Sequence, residues 1–350
     1  LPRSRKSNII KIMMKMNRIL VLSALCLTGT LYASLANDLR KDIVSETPLV
    51  RRRAVYSVIH STLSPVTAIN LLAVAATDND LLVRRLAVSG IAQFSAFFDE
   101  TDIVIAPELR VSTAAFSDEL AEDATAQQKI NLTSIALDIL KNALSDSAAV
   151  IRADAVRVLG AFPPAIAGGE VLAMLDDSSF IVVKEALRAA ANLQLTGAAE
   201  KVDKLLKHKG EIIRISAAEF AGDMRLEEYF KHLQRMASKD QSADARKTAL
   251  RAMIKIRPLE SAAILKEYLG EKDTLMALEA AFLLARDSDD SGKKIVLPSL
   301  NSKDAAIRLA AAKVLLYYDD EESRELFRSL LNDTDAEVRS FAERHNRREE

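Results

Sequence analysis

The sequence predicts an all-α fold: a right-handed α-solenoid, or superhelix, of about ten stacked helical hairpins of ~31 residues each. Three observations carry this. A short pattern returns at near-constant intervals. Within each interval the apolar residues keep the 3.6-residue spacing of one helix face. The composition also suits close-packed helices: 49% of the 350 residues are apolar, aromatics are only 5%, Trp is absent, and Gly (10) and Pro (8) are few.

In chain order, residues 1–15 read as an upstream extension and 16–36 as a signal peptide. Met16 precedes the short positive stretch Asn17-Arg18, and Ile19 to Tyr32 is a mostly apolar run. Ser34-Leu35-Ala36 then supplies small residues at the −3 and −1 positions of a cleavage site. The apolar run falls short of the roughly 20 residues that a spanning helix needs. The expected location is periplasmic or secreted, with no membrane span in the mature chain. Cleavage would also remove Cys26, the single cysteine, and with it any disulfide, thiolate ligand or thiol nucleophile. The first 36 residues hold six of the 48 basic residues and no acid, which leaves 42 basic against 49 acidic residues. A net acidic chain argues against nucleic-acid binding driven by backbone phosphates.

Residues 37–350 carry the repeats. Each is anchored by an apolar residue, then a base, then a small apolar residue three positions on. The anchors are Val50-Arg51, Val83-Arg84, Ile151-Arg152, Val183-Lys184, Ile213-Arg214, Ala245-Arg246, Ile307-Arg308 and Val338-Arg339, and Met276-Ala277 fits without the base. Their spacings are 33, 68, 32, 30, 32, 31, 31 and 31 residues. The interval of 68 is read as two units, one of them degenerate.

Each anchor opens a helix. From Ile151 the apolar residues fall at Ala155, Val158 and Leu159; from Ile307, at Ala311, Val314 and Leu315. Asp80, Asp304 and Asp335 stand three residues before their anchors, where a carboxylate can cap exposed backbone N–H groups. A second helix follows in each unit, as in Ile264, Leu265, Tyr268 and Leu269. Pro163-Pro164, Gly168-Gly169, Gly197, Gly222, Pro258 and the stretch Asp287 to Gly292 read as breaks between the paired helices. One hairpin cannot bury both faces, so the units must stack.

The motif Asp-x-x-Ile-Arg-x-x-Ala, as in Asp304 to Ala311, resembles the HEAT repeat. It resembles in particular the short bacterial HEAT-like form also found in phycobilisome lyase subunits. The resemblance covers roughly residues 45 to 345. It implies an armadillo-type stack in which the Asp and base of successive repeats form a structural ladder: here Asp80, Arg84, Arg152, Arg214, Asp304, Arg308, Asp335 and Arg339. It does not imply an activity.

An irregular insert lies near 95–128 and carries Phe97, Phe98 and Phe116 among many acids. Two readings stay open: aromatics filling the core of a degenerate repeat, or a loop contacting a partner. The apolar stripe ends at His345-Asn346, so the last helix is expected to cap the array.

Sites of chemistry are sparse. The four histidines fall in four different repeats without zinc-ligand spacing. No His-Glu pair of the deoxyhypusine hydroxylase kind exists. Asp287-Ser-Asp289-Asp-Ser291-Gly292 starts like a calcium loop, but its twelfth position is Pro298, where a bidentate Glu is needed. No Gly-rich phosphate loop or Gly-x-Ser-x-Gly elbow occurs. The expectation is an exported, monomeric, non-catalytic scaffold without metal or cofactor, binding a protein partner through a curved helical surface. The alternative is chromophore or cofactor handling, as the likeness to phycobilisome lyase subunits implies.

Overall fold

The computed structural model describes residues 34–98 and 132–346, and every regular element among them is helical. Residues 1–33, Cys26 included, residues 99–131, Phe116 included, and Arg347 to Glu350 lie outside the described residues.

The chain divides into two compact units, Leu1–Leu193 and Gln194–Glu350. The first holds α1 (34–43), α2 (Pro48–His60), α3 (Pro65–Ala75), α4 (Leu81–Gly90), α5 (Leu132–Ala143), α6 (Ala149–Leu159), α7 (Pro164–Ala173) and α8 (Phe180–Asn192). The second holds α9 (Ala199–Leu206), α10 (Glu211–Asp223), α11 (Phe230–Lys239), α12 (Ala243–Ile256) and α13 (Pro258–Tyr268). It continues through α14 (Thr274–Arg286), α15 (Lys293–Ser299), α16 (Ala305–Leu315), α17 (Glu321–Ser329) and α18 (Ala336–Asn346).

The even-numbered helices from α2 onward carry the anchors. In the first unit α2, α4, α6 and α8 pack side by side, with α3, α5 and α7 laid against them. In the second, α10, α12, α14, α16 and α18 do the same, backed by α9, α11, α13, α15 and α17. The layers follow from the stripes: Ile151, Ala155, Val158 and Leu159 of α6 are essentially inaccessible, as are Val83, Ala87 and Val88 of α4.

Helix starts are chemically marked. The carboxylate of Asp80 accepts from the N–H groups of Leu82 and Val83, and that of Asp335 from those of Glu337 and Val338. Asp304 accepts from Ala306 N–H. Pro48, Pro65, Pro164 and Pro258 occupy the first helical turn, where a missing N–H costs nothing.

Four readings of the sequence change. First, the 68-residue interval is one interrupted hairpin. α4 packs directly on α6, and α5 stands against α3 and α6 where the second helix of α4's hairpin belongs. Residues 99–131 therefore separate the two helices of a single repeat. Second, the anchor at Val183-Lys184 is displaced by one residue. The N-cap of α8 is Ser179, so Val182 aligns with Ile151 and Val183 with Arg152. Val182 and Val183 are buried while Lys184 is exposed, and the spacings on either side both become 31. Third, Gly222 is not a breaker. It lies inside α10, where an added Cβ would sit 2.8 Å from Ala252 Cα of α12, so the glycine permits two helix backbones to touch. The turn that follows is made by Arg225, at φ 51°. Fourth, Gly168 and Gly169 lie within α7 rather than before it.

α1 begins inside the 16–36 segment and buries Ala36, Leu39 and Ile43 along one face.

Candidate functional site

The most ordered polar feature is a seam at the starts of the anchor helices. In each complete rung, an arginine four residues after the N-cap reaches an aspartate two residues before the N-cap of the next anchor helix. Arg152 Nε and Nη2 meet the Asp177 carboxylate at 2.7 and 2.9 Å. Arg214 meets Asp240 at 2.8 and 2.7 Å, and Arg308 meets Asp333 at 2.8 and 2.7 Å. Arg84 meets Asp146 at 2.7 and 3.2 Å, and Arg51 meets Asp78 at 2.6 and 2.9 Å. The remaining guanidinium nitrogen turns back to the loop before its own helix: Arg152 Nη1 donates to the carbonyls of Asp146 and Ser147. One planar fork thus ties a loop to its own helix and to the following repeat, which a lysine could not do.

Asp80, Asp304 and Asp335 cap helices, as their position predicted, while the acidic side of the seam is Asp78, Asp146, Asp177, Asp240 and Asp333. Each of these five also accepts from the backbone N–H of the residue two positions on. Asp80 has a second role: Arg52 holds it in a bidentate pair at 3.0 and 2.6 Å. Arg339 donates back to Asp333 O. The signal for the acidic side was an Asp six residues before an anchor arginine, visible at 78, 146, 240 and 333. The series lapses at Val183 and Ala277, which fill arginine positions, and at His208, Glu271 and Ser302, which fill aspartate positions. There His208 Nδ1 accepts from Gly210 N–H at 2.9 Å.

The pairing shows in the acidities. The Arg152 guanidinium holds the Asp177 carboxyl below the usual carboxylate range, and Arg214 and Arg308 do the same for Asp240 and Asp333. Reciprocally, Arg152, Arg214 and Arg308 are raised by their carboxylates. A depressed folded-state pKa contributes stability above the ordinary carboxylate value, near ~4. That contribution is lost as pH falls from there through the folded pKa. Thermal melts from neutral to strongly acidic pH are therefore expected to show a steep decline starting below about pH 4, shallower in Arg152→Gln. A decline of equal slope in both proteins would refute the assignment.

Other candidates disperse. His60 packs on Tyr56 with tilted rings whose centroids are 4.2 Å apart, His232 lies 4.0 Å from Asp203, and His345 packs on Phe341 at 4.3 Å. Among the described residues no group of three or more His, Cys, Asp or Glu side chains is placed to hold a metal. In the calcium-like turn, Asp289 pairs with Lys266 at 2.8 Å and accepts from Ser291 N–H, contacts that pull its carboxyl down to about 2. Phe98 is half-buried and stacked on Phe162 at 4.3 Å, whereas Phe97 is 57% exposed. No helix among the described residues is long and apolar enough to cross a membrane.

The HEAT-repeat family model matches residues 169–254 and 259–344. No curated protein is significantly similar to the chain. A homology model of the full-length AP-3 complex in an intermediate open conformation is 16% identical, with a TM-score of 0.52 over 93% of this chain and 58% of that one. The complex of CpcE and CpcF of phycocyanin lyase from Nostoc sp. PCC7120 is 17% identical, with a TM-score of 0.42 over 77% and 94%. Human deoxyhypusine hydroxylase is 15% identical, with a TM-score of 0.35 over 91% and 96%. At these identities the likeness is one of fold. At residues 169–254 and 259–344 the chain carries HEAT repeats.

Proposed function

We propose that the chain is an exported, non-catalytic scaffold that binds a protein partner on the exposed faces of its anchor helices. The observation that carries this is the seam. Its arginines and aspartates hold adjacent anchor helices in fixed register, which keeps their outward residues in aligned rows. A pre-organised surface of this kind loses little entropy on binding. The export signal read at 16–36 supports a partner outside the cytoplasm, and cleavage after Ala36 would leave Leu39 and Ile43 to anchor α1.

The test is cross-linking of residues 37–350 in envelope extracts, using photoreactive residues at positions 56, 188 and 282. Reproducible protein adducts at these positions, and not at buried position 151, are expected. Adducts spread evenly over the surface, or a co-purifying tetrapyrrole absorbance, would overturn the reading. Alkaline phosphatase fused at Asn37 should be active; an inactive fusion would refute export.

A further inference from the structure

The anchor helices of the first unit present two aligned rows on their outward face. Counting from each N-cap, the second position is Leu49 on α2, Leu82 on α4 and Ile181 on α8; Leu49 is 53% exposed and Leu82 45%. The fifth and ninth positions carry Arg52 on α2, Arg85 on α4, Arg157 on α6, and Lys184 with Arg188 on α8. Cross-helix contacts show that these positions meet. Arg85 pairs with Asp154 of α6 at 2.9 Å, and Arg157 bonds Ser89 of α4 at 3.1 Å.

No acid occupies the fifth or ninth position of these four helices. The nearest carboxylates are already engaged: Asp80 by Arg52, Asp154 by both Arg85 and Arg157, and Glu185 by Arg188. Among the described residues Lys184 and the flanking Arg53 have no carboxylate partner, so the face keeps a positive excess. The corresponding positions of the second unit are mixed, with Ile215, Glu219, Leu278 and Phe282 among them.

We propose that this basic face of α2, α4, α6 and α8 is the docking surface for an extended acidic segment of another protein, one that alternates carboxylates with apolar side chains. The inference rests on the scaffold reading and names its partner chemistry. Neighbouring helices stand about 10 Å apart. A segment in the extended polyproline II conformation advances about 3.1 Å per residue with three residues per turn, so carboxylates at every third residue share one face and meet one helix each. The basic row supplies charge complementarity and steering, and the exposed leucines supply apolar burial. That leucine row also separates the face from a phosphate-binding stripe, which has no use for it.

The probe is a fluorescent peptide of about twelve residues repeating Glu-Leu-Ser, measured by anisotropy on the full chain. A Lys-Leu-Ser counterpart and a single-stranded DNA of similar length serve as comparisons. Binding of the acidic peptide that weakens with salt is expected. It should fall at least about tenfold in Arg53→Glu/Lys184→Glu/Arg188→Glu, which spares the Asp154 pairs. The second-unit variant Lys272→Glu/Lys303→Glu/Lys313→Glu, of equal charge change, should stay within about twofold. Both variants should melt like the parent. Equal losses in both variants, tighter binding of the DNA, or a dimer that the first variant dissociates would each overturn the proposal. Partner adducts from position 56 that persist undiminished in the first variant would sink this surface and leave the scaffold reading standing; absence of partner adducts in the parent would sink both.

Discussion

Replacing Ile151 with Asp should lower the melting temperature by about 10 °C. Ile151 opens α6, which packs between α4 and α8, and it is wholly inaccessible. The substitution removes a buried branched side chain and puts a carboxylate in its place. No seam arginine is spare to neutralise it, because the nearest, Arg152, is spent on Asp177 and on two loop carbonyls. Loss of packing and burial of an unpaired charge together cost about 4 kcal/mol or more. Leu259→Asp is the matched comparison. Leu259 is 91% exposed, so the same chemical change there should shift stability by less than about 0.5 kcal/mol. Circular dichroism melts of the two variants decide the matter; similar melting temperatures would mean that α6 does not bury this face.

The second large effect is expected at Arg84. Its guanidinium donates to the Asp146 carboxylate and to the carbonyls of Asp78 and Asn79. Both members of the ion pair are mostly shielded, with side chains 16% and 12% exposed. Arg84→Ala leaves the carboxylate without its counter-charge and two carbonyls without a donor, at a cost of about 3 kcal/mol. Arg84→Lys should recover only part of this, since an ammonium cannot make the two-pronged contact and also reach both carbonyls.

The apolar stripes were readable because burial of one helix face imposes a 3.6-residue period that no other structure needs. Capping by Asp80, Asp304 and Asp335 was readable for a similar reason, since few residues can satisfy the first N–H groups of a helix. The acidic half of the seam was harder. Asp146 and Asp177 lie in loops, where an aspartate usually needs no partner, and their arginines belong to the preceding repeat. Lys184 misled because a base beside Val183 imitates the anchor; only the start of α8 shows that both valines face inward. Gly222 misled because a glycine that lets two helices touch looks, in sequence, like one that ends a helix. The basic face of the first unit escaped notice because its residues are one per turn on four separate helices. Their alignment depends on the register that the seam imposes.

That register is the central claim, and it is most exposed at the interrupted repeat. Here it makes neighbours of α4 and α6 although Arg84 and Asp146 are 62 residues apart. A double-mutant cycle on Arg84→Ala and Asp146→Ala, followed by denaturant unfolding, measures that adjacency. The account predicts a favourable coupling of about 1–2 kcal/mol, because each single substitution already removes the same contact. A full repeat standing between the two helices would instead make the substitutions independent. Additivity to within about 0.3 kcal/mol would therefore contradict the arrangement described.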